Sequence, residues 1–142
     1  MNSRSFQFGL NSFGENATDS SGRTLSDAET VRLIIEEGVL ADEVDIDIFS
    51  IGEHYRADFN DSAPHVILAA IASRTEKIRL GTSVTVLSTQ DPVRLFTEYA
   101  TLDAASNGRA QLIVGRASAT DSFTSRISRE SPPTQEATPE LE

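Results

Sequence analysis

The stretch Ser26-Asp27-Ala28-Glu29, continued through Asp45-Ile46-Asp47-Ile48-Phe49-Ser50-Ile51-Gly52-Glu53-His54, decides the fold. Its first four residues carry a capping-box signature. The Ser26 hydroxyl can accept from the Glu29 amide while the Glu29 carboxylate reaches back to the Ser26 amide. Val31, Ile34, Ile35 and Val39 then recur at i, i+3, i+4 and i+8, the spacing of one buried helix face. Beyond Asp45 the helical period ends. Ile46 to Ile51 is β-branched and aromatic, bounded by Asp45 and Gly52, and reads as a strand.

The same alternation extends in both directions. Phe6–Leu10, Ile78–Leu87 and Ala110–Val114 read as three more strands. A second helix starts after Asp61-Ser62 with Pro64 in its first turn, and Ile67, Ala70 and Ile71 on its stripe. A third has Asp91 as N-cap, Pro92 at the first helical position and an expected core face of Val93, Phe96 and Ala100. Asn107-Gly108 supplies its left-handed stop. The order β-α-β-α-β-α-β requires parallel strands joined by right-handed crossovers, so the fold class is α/β.

Composition narrows the function. The chain has 142 residues, and 22 acidic against 12 basic side chains give a formal charge of −10. That balance excludes a basic nucleic-acid footprint. With no cysteine there is no disulfide framework, thiolate metal site or cysteine nucleophile. The longest apolar run, Val66 to Ala72, is far short of a membrane span, and the expected location is cytoplasmic. Residues 118–142 are dominated by Ser, Thr, Pro and Glu and are expected to form a disordered tail behind a domain of residues 1–117.

In α/β proteins ligands bind beyond the carboxyl ends of parallel strands. There the chain carries Asn11 and Ser12, then Glu53, His54, Tyr55 and Arg56, then Ser88, Thr89 and Gln90 (with Thr82, Ser83 and Thr85 inside the third strand), and lastly Arg116 and Ser118. Any strand needs a polar loop after it, which accounts for part of this pattern. Glu53-His54 is the most suggestive pair, because a strand-end histidine can act as a general base or hydrogen-bond donor near neutral pH. The competing reading is an ordinary polar contact. His65 lies in the first turn of a helix and reads as structural, and no second histidine has metal-ligand spacing. Gly115-Arg116-Ala117-Ser118 lacks the glycines and the following helix of a phosphate loop.

With these residues in view, the chain resembles the amino-terminal half of the bacterial luciferase-like, flavin-dependent monooxygenases. The matching stretches are Phe6-Gln7-Phe8-Gly9-Leu10, Gly38 to Val44, Phe49 to Tyr55, Ile78 to Val84, Asp91-Pro92-Val93-Arg94 and Leu102 to Arg109. The resemblance implies the first half of a TIM (β/α)8 barrel that binds reduced FMN, or a deazaflavin, at its carboxyl face. It also implies O2 and a small organic molecule as substrates, with a flavin reductase as partner and no metal. Carried over by position, His54 is the catalytic candidate beside the isoalloxazine ring. Asn11, Glu53, Ser83 and Val84 are the cofactor-binding candidates, with Ser83-Val84 at a bulge where the family often has a cis peptide. Asp45 and Ala117 depart from the family by standing where glycine is usual.

A full barrel needs about 250 residues, and its phosphate site is typically built after strands seven and eight. Four strands leave two open edges. They also expose interior residues expected to be apolar, among them Phe8, Leu10, Ile48, Val84, Val86, Leu112 and Val114. The expectation is a truncated enzyme, inactive alone or completed by a homodimer or a complementing half-barrel. The alternative is a non-catalytic α/β module that acts in protein interaction or dimerisation.

Overall fold

The structure is a computed structural model, described here for residues 6–116. Its elements are β1 (Gly9–Ser12), α1 (Asp27–Glu43), β2 (Ile48–Ile51), α2 (Pro64–Ala72), β3 (Arg79–Thr82), β4 (Thr85–Val86), α3 (Pro92–Ala105), β5 (Ala110–Gln111) and β6 (Val114–Gly115). All paired strands are parallel, in a sheet of order β1-β2-β3-β5 with a second pair β4-β6. The expected third and fourth strands are each broken in two. The Ser83–Val84 peptide, which is cis, separates β3 from β4, and Leu112-Ile113 separates β5 from β6. The tail expected from residue 118 onward lies outside the described residues.

Local chemistry accounts for the ends of the helices. Ser26 Oγ accepts from Glu29 N at 3.4 Å, and the Glu29 carboxylate accepts from Ser26 N at 2.8 Å, so the capping box forms. Asp91 accepts from Arg94 N at the start of α3, with Pro92 directly after it. Asn107 and Gly108, both at positive φ, end that helix. Asp45 also has a φ of 60°, the conformation that makes glycine usual at its position.

Two polar residues fasten the helices to the sheet. Asp42, at the end of α1, accepts from the backbone N–H groups of Glu76, Lys77 and Ile78 at 3.3, 3.0 and 2.7 Å, which fixes the entry to β3. Burial works against its charge, but these donors hold the carboxyl below its ordinary range. Arg109 donates to Ser106 O, Thr75 Oγ1, Ile78 O, Ala72 O and Thr75 O at 2.7–3.1 Å. One guanidinium thereby satisfies carbonyls from the end of α2, the turn after it and the end of α3.

The core lies between the sheet and the three helices. Phe49, Ile51 and Leu80 from the strands meet Ile34 and Ala41 of α1, Ile67, Leu68 and Ile71 of α2, and Leu95, Tyr99 and Leu102 of α3. Two expectations are corrected here. Val93 and Phe96 are 69% and 72% exposed; the buried stripe of α3 is Leu95, Tyr99 and Leu102. Both stripes have helical spacing, and the winning one lets the Tyr99 hydroxyl reach Thr85 Oγ1 at 3.1 Å. In α2 the buried positions are Pro64, Ile67, Leu68, Ile71 and Ala72, because that helix is covered on two sides, and Ala70 is only partly buried.

Candidate functional site

The pairing register sorts the sheet into two faces. Leu10, Phe49, Leu80 and Ala110 form one row, and Phe49 and Leu80 point into the helices. The next row, Asn11, Ser50, Gly81 and Gln111, must face the other way. A Cβ placed on Gly81 would lie 3.4 Å from both Ser50 Oγ and the Gln111 Cβ, which puts those side chains on one surface. This interior row is polar, so the expected apolar interior is corrected in part. Leu10 belongs to the helix-side row, Val86 is buried, and Val84 packs on Gly115. Of the residues expected inside, Leu10 lies on the helix-covered face, whereas Ile48 shares the open face with Ser50, and Phe8, Leu112 and Val114 are exposed as expected.

At the carboxyl end of β2, Glu53 and His54 do not pair with each other. His54 Nδ1 lies 2.7 Å from Asp61 Oδ2, and the His54 backbone N–H donates to Asp61 Oδ1 at 3.1 Å. The Asp61 side chain is fully buried, and the His54 side chain is 27% exposed. Burial pushes the Asp61 carboxyl above its ordinary range, and contact with His54 opposes that shift. Phe59 stacks on the His54 ring with centroids 4.3 Å apart, and Phe13 meets it at a tilt. His54, Tyr55, Arg56, Phe59 and Ser62 border a recess of about 220 Å³.

Two glycines make room for this pair. A Cβ on Gly52 would come within 2.9 Å of both Asp61 Oδ2 and His54 Cε1. A Cβ on Gly14, which has a φ of +66°, would come within 2.7 Å of the Asp61 Cβ. The loop after β1 is clipped to the loop after β2 through Asn60 N to Gly14 O, Asn16 N to Asp58 O and Asn60 Nδ2 to Asn16 Oδ1.

Glu53 turns the other way. Its buried carboxylate accepts from Val86 N at 2.9 Å and Gln90 Nε2 at 2.8 Å, and from the Tyr55 hydroxyl. It thus ties the end of β2 to the segment after Ser83–Val84. Burial first, and then the Glu53 carboxylate, push the Tyr55 hydroxyl up to about 12. Gly115 leaves space for Val84, whose Cγ2 would lie 2.5 Å from a Cβ at that position.

The structure therefore brings His54, Glu53, Ser83 and Val84 to the carboxyl ends of the strands and sets Asn11 in the polar row of the open face. Sequence reading missed Asp61, whose only signal was taken as a helix start before Pro64. It also missed Gly14 and Gly52, the glycines that let Asp61 in. His65 contacts Glu98 on α3 at 3.6 Å, away from this end. Among the described residues no group of three or more metal-ligating side chains occurs, and no helix is long and apolar enough to cross a membrane.

The family profile described as luciferase-like monooxygenase matches residues 6–134. The chain belongs to that family. Among curated luciferase-like relatives, the oxygenase component of the flavin-dependent trigonelline monooxygenase of Acinetobacter baylyi is 30% identical over 97 residues. That match covers 65% of this chain and 27% of the relative. The crystal structure of the monooxygenase RslO1 from Streptomyces bottropensis superposes with a TM-score of 0.72 at 29% identity, over 84% of this chain and 36% of that one. The oxygenating constituent of 3,6-diketocamphane monooxygenase from Pseudomonas putida, a type II Baeyer–Villiger enzyme in complex with FMN, superposes with a TM-score of 0.67 at 28% identity. It is matched over 79% of this chain and 30% of its own length. The chain thus spans about a third of these luciferase-like relatives, and its parallel βα units are the first half of their barrel.

A flavin ring fits the residues present. The polar row of Asn11, Ser50, Gly81 and Gln111 offers hydrogen-bonding groups and, at Gly81, no side chain on the face toward which a flat ring would lie. His54 and the Ser83–Val84 segment stand at the adjoining strand ends. None of the described residues is assigned to the flavin phosphate.

Proposed function

We propose that this chain forms the ring-facing wall of a flavin site in a monooxygenase that uses reduced FMN and O2 on a small organic substrate. A reduced flavin bound there would supply the electrons that activate oxygen. His54 would accept or return a proton at its free ring nitrogen, with Asn11, Ser83 and Val84 against the ring and Glu53 holding the Val86 segment in place. A deazaflavin is the alternative cofactor, and a separate flavin reductase would deliver the reduced form. The observation that carries this reading is a strand-end histidine with its inner nitrogen held by a buried carboxylate, in a chain of this family.

Anaerobic titration of the full chain with reduced FMN, followed by flavin fluorescence, tests it. Saturable binding that weakens about 10-fold or more in His54→Ala and Asn11→Ala is expected, from one lost polar contact at each site. Absence of binding, or affinities unchanged in both variants, overturns the reading.

Exposed apolar residues favour a second feature. Leu10, Leu40 and Val44 flank a groove of about 490 Å³ beside β1 and α1, and Val93 and Phe96 line the outer side of α3. Such flanks support residues 1–117 as a half-barrel domain that pairs with further βα units, either in a second copy or in a complementing half. A folded monomer with no self-association in sedimentation, even at high concentration, removes the homodimer.

A further inference from the structure

We infer that Asp61 is a positioning residue that locks His54 as the Nδ1–H tautomer, so that Nε2 is the proton-accepting atom turned to the site. The inference deepens the proposed function and rests on its reading of His54 as facing the ring.

The geometry leads there in three steps. Both Asp61 oxygens are spent on His54, one on the backbone N–H at 3.1 Å and the other on Nδ1 at 2.7 Å. An ionised carboxylate can only accept, so the proton of a neutral ring must sit on Nδ1. With Nδ1 bound and Phe59 stacked on one ring face, the edge carrying Nε2 is left to meet a ligand; Nε2 makes no hydrogen bond among the described residues.

The surroundings are built around this contact. Gly14 and Gly52 are the two positions where a side chain would collide with Asp61, and they lie on the loop after β1 and at the end of β2. The clip between the two loops closes over the fully buried carboxylate. Of the other charged groups nearby, Asp58 is occupied by Arg56 at 2.6 Å, and Glu53 faces Val86 and Gln90. Neither competes for Nδ1.

Asn at position 61 keeps the shape but reverses the pairing. Its oxygen can still accept from the His54 N–H, while its NH₂ donates to Nδ1 and drives the ring proton to Nε2. The test is long-range ¹H–¹⁵N correlation of the neutral His54 ring in the full chain, in wild type and in Asp61→Asn, with the reduced-FMN titration run on both and on His54→Ala.

The wild type is expected to show a protonated Nδ1 and a bare Nε2, with the pattern reversed in Asp61→Asn. Reduced-FMN affinity should fall about as far in Asp61→Asn as in His54→Ala. A wild-type spectrum dominated by Nε2–H overturns the inference, and does so even where the variant fails to fold. A tautomer unchanged in Asp61→Asn overturns it equally. A tautomer that reverses while His54→Ala leaves the titration flat supports the lock and refutes the ring-facing reading.

Discussion

The two faces of the sheet are made from alternate residues of the same strands, yet they obey different rules. The helix-covered face sets Phe49, Ile51 and Leu80, each at most 2% exposed, against three helices. The other face presents Asn11, Ser50, Gly81 and Gln111 in the next row. A single residue along the chain separates a position chosen for volume from one chosen for hydrogen bonding. Stability is thus concentrated on one face and, under the proposed function, chemistry lies on the other, so changes on each should be separable.

Leu80→Ala puts the largest strain on that separation. It empties a fully buried position and should lower unfolding free energy by about 2–5 kcal/mol in a urea titration, while the folded fraction binds reduced FMN unchanged. Arg109→Lys comes next, since an ammonium cannot reproduce five directed contacts. A loss of about 2 kcal/mol is expected, again with binding intact. Gly115→Ala acts at the boundary between the faces. Its methyl must displace Val84, so a loss of about 1–3 kcal/mol should come with weaker reduced-FMN binding. His54→Ala should lose the binding that Leu80→Ala keeps, and it should also lower the melting temperature, because the fully buried Asp61 carboxylate loses its Nδ1 partner.

The smallest effect is in acid. The Glu29 carboxyl is held down at about 2, by Arg23 first and then by Ser26. A depressed folded value means its contribution is complete above its ordinary value of 4.5 and is lost as pH falls through about 2. Wild type should therefore exceed Glu29→Gln in stability at neutral pH, by a margin that closes towards pH 2 in acid denaturation followed by circular dichroism.

Much of the fold could be read from local signals. The capping box at Ser26, the Asp91-Pro92 start and the Asn107-Gly108 stop depend on residues within four positions of one another, and all three formed as expected. The face of α3 depended on what lay beneath it. Val93-Phe96 and Leu95-Tyr99-Leu102 fit the helical period equally, and the Thr85 contact decided between them. At the site, Glu53 and His54 were visible as a pair at a strand end, but not as two residues facing apart. Asp61 was hidden because its role is set by a loop closing over it, through glycines in two other segments.

The order of the sheet carries one more consequence. In β1-β2-β3-β5 each strand lies beside the preceding strand of that same sheet, with Gly9 opposite Ile48 and Ile48 opposite Arg79. As the chain leaves the ribosome, each strand of this sheet after β1 therefore finds its neighbour already synthesised, whereas β4 must wait for β6 before it can pair. The sheet can grow by addition at a single edge, in step with translation.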